Sequence, residues 1–100
     1  MSLANVANVS RRAKSDVLRT FGLTVHAYRL QAGLTQEALA ERAGIDRTYV
    51  GGVERGERNV GVANVVRLAD ALGIAPSHLL ERFTTDEQSV VLGGTDDRDS

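Results

Sequence analysis

No cysteine occurs anywhere in this sequence. That absence excludes disulfides, thiolate catalysis and cysteine-ligated zinc together, and it suits a reducing interior. Tryptophan is missing too, and two Phe and two Tyr are the whole aromatic complement, so the core must be built from Val, Leu, Ile and Ala. No stretch approaches the ~20 apolar residues that a membrane span needs. The N-terminal residues lack the apolar run of a secretory signal, which points to the cytoplasm. The two histidines, His26 and His78, lie far apart with no paired-ligand spacing, so no metal is expected, and His26 reads as a surface residue of the first helix. No nucleophile elbow is visible, "GTDDRDS" lacks the spacing of a calcium loop, and "VLGG" lacks a nucleotide-loop context. Neither catalysis nor a cofactor is expected.

The chain of 100 residues, 42% hydrophobic and 25% charged, has the size and composition of one small folded domain. Its net charge of -1 is unevenly placed. Residues 1–83 hold 11 Lys/Arg against 8 Asp/Glu, and residues 84–100 hold one Arg against five acids. A mildly basic body beside an acidic tail is compatible with a polyanionic partner.

Three regions follow from pattern. Residues 1–16 read as a flexible N-terminal arm, small and polar in "MSLANVANVS", with the basic run "RRAKSDVLRT" able to add an early helical turn or two. Residues 17–83 carry helical periodicity throughout. Residues 84–100 form an acidic tail expected to be disordered, within which "SVVL" suits a short strand or a partner contact. No strand-rich region, repeat or low-complexity block interrupts this all-α reading.

Five helices are predicted. Phe21, Val25 and Tyr28 recur at helical spacing in the first, which Gly33 stops. Thr35 caps the second, "TQEALAERAG", whose Ala38, Leu39 and Ala43 share a buried face. Asp46 offers a cap for a third helix from Arg47 to about Arg55, ended by Gly56. In the fourth, "VANVVRLADALG", Val62, Val65, Val66, Leu68, Ala69 and Leu72 are apolar nearly all round, which predicts burial on two sides. Pro76 opens the fifth, "PSHLLERF".

Two short helices joined by a glycine turn inside a bundle make a helix-turn-helix. Four residues after Gln36 comes Ala40, where a large side chain would wedge the helices apart. Gly44 follows at the turn, and Val50 and Val53 anchor the next helix. One feature resists this pattern: Gly51 and Gly52 sit in the middle of that helix. Either the pair breaks it into a loop, or it shaves one of its faces. The cap at Asp46 and the inward Val50 and Val53 favour a helix, with Thr48, Gly51, Gly52 and Arg55 outward and Arg47 and Tyr49 flanking. Glycine costs ~1 kcal/mol per site there, in exchange for close approach of the backbone to a groove.

The run "GLTQEALAERAGIDRTYVGGVERGERN" resembles the Cro/phage-repressor (XRE) family of helix-turn-helix regulators, over residues 21–83. Within that family, "DRTYVGGVERGERN" is most similar to the controller proteins of restriction–modification systems, which bind their own operators as dimers. The resemblance implies a five-helix Cro/repressor-like bundle around a central helix-turn-helix. It also implies a transcriptional regulator that binds a two-fold symmetric site on double-stranded DNA as a homodimer, blocking or recruiting RNA polymerase.

Site residues carry over by position. Arg47, Thr48 and Tyr49 match the base-reading end of the recognition helix, where an arginine fork suits guanine and a threonine suits a base edge or a thymine methyl. Gln36 matches a backbone clamp, and Arg55, Arg58 and Asn59 match DNA-backbone contacts, although Arg55 and Arg58 also read as solubilising charges. Several members read a base from the position of Gly52, a contact glycine cannot make. Arg29 and Glu54 match a partly buried ion pair that ties the first helix to the recognition helix in phage repressors. Leu79, Leu80 and Phe83 suggest a dimer interface through the fifth helix, or else closure of the chain's own core. A different class of function remains open, an antitoxin-like or adaptor module in which the acidic tail and "SVVL" bind protein.

Overall fold

The computed structural model describes residues 12–83; the N-terminal eleven residues and the acidic tail with its "SVVL" segment lie outside the described residues. Helix α1 spans Lys14–Gln31, α2 Gln36–Ala43, α3 Arg47–Glu54, α4 Val62–Leu72 and α5 Pro76–Leu79, with a 3-10 turn at Glu81–Phe83. No strand occurs among the described residues. Lys14, Ser15 and Asp16, which the pattern assigns to the arm, are already helical.

Each short helix owes its ends to local chemistry. Thr35 accepts a hydrogen bond from the backbone N–H of Ala38 at 3.0 Å and so caps α2. Gly44 closes α2 at φ 71°, and the N–H of Ile45 then reaches back to the carbonyl of Ala40 at 3.0 Å. This six-to-one bond with a left-handed glycine is the Schellman arrangement, and it turns the apolar Ile45 inward against the core. Asp46 occupies the cap position of α3 but makes no side-chain cap hydrogen bond, contrary to the reading of its sequence. The helix is held instead by packing, since Val50 and Val53 are both essentially fully buried.

Phe21 and Val25 of α1, Leu39, Ala40 and Ala43 of α2, Val50 and Val53 of α3, Leu68, Ala69 and Leu72 of α4, and Leu79 of α5 form one core. Helix α4 departs from expectation. It buries a single face, while Val62 and Val66 on the other are 81% and 40% exposed. The core therefore takes the 68–69–72 stripe of an apolar helix, with Val65 and Ala71 partly buried against it. Leu79 is 0% exposed within its own chain, Phe83 packs partly against the core, and Leu80 alone of the three proposed interface residues is substantially open, at 48%. Closure of the core thus accounts for Leu79 and for part of Phe83. At the chain's entry, Arg12 donates to the carbonyl of Phe83 at 3.3 Å and stands 5.5 Å over its ring, joining the two ends of the described domain.

Candidate nucleic-acid interface

The feature that orients α3 is a carboxylate at its C-terminal end. Glu54 accepts from Arg29 Nε at 2.7 Å through Oε2 and from Arg29 Nη2 at 3.1 Å through Oε1. The same Oε1 accepts from Gln36 Nε2 at 3.0 Å and lies 3.0 Å from His26 Nδ1. Arg29 also donates through Nη1 to the carbonyl of Leu34 at 2.8 Å, so its guanidinium braces the turn between α1 and α2 as well. Side-chain exposure is 9% for Arg29 and 5% for Glu54, which makes this a buried bidentate pair. Burial pushes the Glu54 carboxyl up, but the hydrogen bonds from Arg29, His26 and Gln36 and the charge of Arg29 together outweigh it and hold the group below its usual range. One carboxylate thereby links α1, the start of α2 and the end of α3.

Helix α3 crosses α1 at very short range. A Cβ added to Gly22 would stand 2.7 Å from the carbonyl oxygen of Glu54 and nearer still to that of Val53, so only glycine lets these two backbones meet. Beyond α3 the chain turns at Gly56, φ 77°, where a Cβ would lie 2.9 Å from the Cα of Arg19. The C-terminal half of α3 is therefore seated on α1 by two residues without side chains. Its N-terminal end is left outward, with Arg47 and Thr48 exposed.

The glycine pair does lie within a helix, but its face is covered. Both residues are buried. A Cβ on Gly51 would meet Arg55 Nη1 at 3.2 Å and Gln36 Oε1 at 3.6 Å; one on Gly52 would meet Arg58 Cγ at 2.9 Å and Nε at 3.1 Å. Arg58 thus lies along the strip that Gly52 leaves open, with its guanidinium 5.8 Å from the ring centroid of Tyr49. The expected bare backbone surface is instead a bed for two arginines: the guanidinium of Arg55 lies beside Gly51, and the methylene stem of Arg58 runs along Gly52.

Comparison with known proteins agrees with this geometry. The helix-turn-helix family matches residues 25–79, from the middle of α1 to the end of α5. The chain belongs to that family. It is a regulator of the Cro/phage-repressor type. It is 42% identical over 72 residues to the control protein C.BamHI of Bacillus amyloliquefaciens, covering 71% of this chain and 88% of that protein. It is 37% identical over 67 residues to a hypothetical transcription factor of Neisseria meningitidis, of which it spans 63%. Among solved structures, the controller protein C.AhdI from Aeromonas hydrophila superposes with a TM-score of 0.61 at 52% identity, covering 62% of this chain and 94% of that one. The controller C.Esp1396I, solved as a tetramer with its natural 35 base-pair operator, superposes with a TM-score of 0.62 at 30% identity, covering 67% of this chain and 88% of that one.

Against this helix-turn-helix frame the residues singled out from sequence fall into groups. Arg47 and Thr48 stand free at the N-terminal end of the recognition helix α3. Tyr49 is half-buried; its hydroxyl accepts from Asn64 Nδ2 at 3.3 Å and its ring carries Arg58, so it connects α3 to α4. Gln36 sits at the first turn of α2 with its amide nitrogen on Glu54. Arg55, Arg58 and Asn59 are exposed beyond α3, with Arg55 Nε 3.1 Å from Glu57 in a solvent-facing pair worth little. Gly22 and His26 were missed. His26 was detectable, since it lies three residues before Arg29 on the same helical face. Gly22 carries no local signal for a contact with residues so distant in sequence.

Proposed function

We propose that this helix-turn-helix protein is the controller of a restriction–modification system, binding a two-fold symmetric operator on double-stranded DNA as a homodimer. The observation that carries the reading is the seating of α3. Its C-terminal half is locked on α1 through Gly22 and Glu54, while Arg47 and Thr48 project from its free end and Arg55 and Arg58 flank its outer face. A helix presented in this way enters the major groove with its N-terminal residues at the base edges. Arg47 and Thr48 read bases, Tyr49 supports them, and Gln36, Arg55, Arg58 and Asn59 contact the backbone on either side. Three of the proteins named above are controllers, and the structure of one of them, C.Esp1396I, includes its operator.

Half-sites about one helical turn (~34 Å) apart require a pair of subunits. Leu79 is sealed in the core, so pairing falls to Leu80 and the edge of Phe83, with the exposed Val62 and Val66 of α4 adding apolar surface that a second copy would cover. Occupancy of the operator then blocks or recruits RNA polymerase. Selection of bound duplexes from a random-sequence pool at two salt concentrations tests the reading. A two-fold symmetric motif with affinity falling steeply as salt rises supports it; recovery of no motif, with little binding even at low salt, would remove it.

A further inference from the structure

A guanidinium, an imidazole and one carboxylate meet at the base of α3. Arg29 and His26 both approach Glu54, and among the described residues the negative group facing the imidazole is Glu54, from α3. Arg29 Nη2, from His26's own helix, lies 3.2 Å from Nδ1 and opposes a positive ring, while α2 contributes only the neutral amide of Gln36 on the same oxygen. With a carboxylate oxygen 3.0 Å away, Nδ1 is placed to donate to Glu54, and Arg29 Nη2 donates to the same oxygen at 3.1 Å. The His26 side chain is 45% exposed, in contrast to the 5% of its carboxylate partner, and its hydrogen-bond contacts among the described residues are made through Nδ1, which leaves Nε2 for a ligand.

We propose that His26 is a further DNA-phosphate contact, made through Nε2 and only when its imidazole is protonated, so that operator binding takes up a proton at each subunit. The inference rests on Gln36 lying against the DNA backbone, as proposed above. Gln36 and His26 hang from one carboxylate oxygen, so a phosphate at the first turn of α2 is presented to both. A neutral ring held at Nδ1 offers that phosphate a lone pair. An imidazolium offers it an N–H and a charge, the stronger kind of hydrogen bond. The phosphate in turn supplies the second anion that Glu54 alone cannot provide for two cations. Histidine is the side chain whose charge changes between pH 5 and 8, which puts the effect in an accessible range.

The test measures affinity for a duplex carrying the motif selected by the protein, at about pH 6 and about pH 8 and fixed ionic strength. Full-length wild type is expected to bind roughly tenfold tighter at the lower pH, the two subunits contributing together. His26→Gln should be flat at the wild-type level of the higher pH, and His26→Lys flat at that of the lower. His78→Gln, altering the other histidine, which stacks on Tyr28 with ring centroids 6.2 Å apart, should keep the wild-type profile. A His26→Gln protein that retains the wild-type pH slope, or a wild type that binds tightly with no slope, overturns the inference while leaving operator binding in place. Failure to bind at either pH overturns both.

Discussion

Gly22 of α1 lies directly under Glu54 of α3, so close that a single methyl group between them would stand 2.7 Å from a carbonyl oxygen. Both partners at this crossing are backbone, which cannot swing aside as a side chain can. The recognition helix is therefore aimed by an absence of atoms at one point and by a buried ion pair beside it.

Gly22→Ala separates packing from helix propensity. In a free helix the change would stabilise by ~1 kcal/mol. Here the overpacked crossing should reverse the sign, costing about 1–3 kcal/mol or more, and the melting temperature should fall by roughly 4–8 °C for each kcal/mol. A melting scan that showed equal or higher stability would disprove the close crossing.

Removing Glu54 strands the Arg29 guanidinium in a buried site, and Glu54→Ala should cost about 3–5 kcal/mol in denaturant unfolding. The pH dependence has a definite sign. Because the folded state holds this carboxyl below its usual range, its stabilising contribution is complete above the unfolded value of about 4.3 and is lost as pH falls through the lower folded value. Glu54→Gln should therefore be less stable than wild type at neutral pH and converge with it in acid. Parallel curves through the acid limb would rule out the ionised pair as the source.

Gly52→Ala sets stability against binding. The new Cβ displaces the Arg58 stem, which is flexible, while the helix gains up to ~1 kcal/mol of propensity. The variant should melt at or above the wild-type temperature yet bind its operator more weakly, because Arg58 loses its place beside Tyr49. Unchanged affinity would show that the position of Arg58 is immaterial to DNA.

Arg47 and Gln36 should fail differently. Arg47→Ala should relax preference at one base position and cost ~1–3 kcal/mol there, whereas Gln36→Ala should weaken all duplexes alike. Repeating the pool selection with each variant decides the matter; an unaltered motif from Arg47→Ala would take that residue off the reading face.

Much of this molecule is local, and what is local was legible in sequence. Thr35 caps its helix by reaching three residues along, and Gly44 turns the chain through its own left-handed φ. Val50 and Val53 face inward because α-helical geometry puts them on one side. These signals travel over one or two turns, and they place the helix-turn-helix where it is. Arg29 and Glu54 were paired only through the family resemblance, since no spacing rule connects residues on separate helices.

Tertiary structure decided the rest, because each remaining property depends on which surfaces meet. Asp46 stands at a helix start yet forms no side-chain cap hydrogen bond, and α3 is held by the buried Val50 and Val53. Val62 and Val66 are as apolar as Leu68, but α4 has neighbours on only one side. Leu79 and Leu80 are adjacent and chemically identical, yet one closes the core and the other faces out. Gly51 and Gly52 leave open strips that arginines from later in the chain come to cover. Sequence alone determined the helices and their turns through interactions a few residues in range; their crossing decided which glycine, histidine and leucine matter, through contacts that exist only when distant segments share the same space.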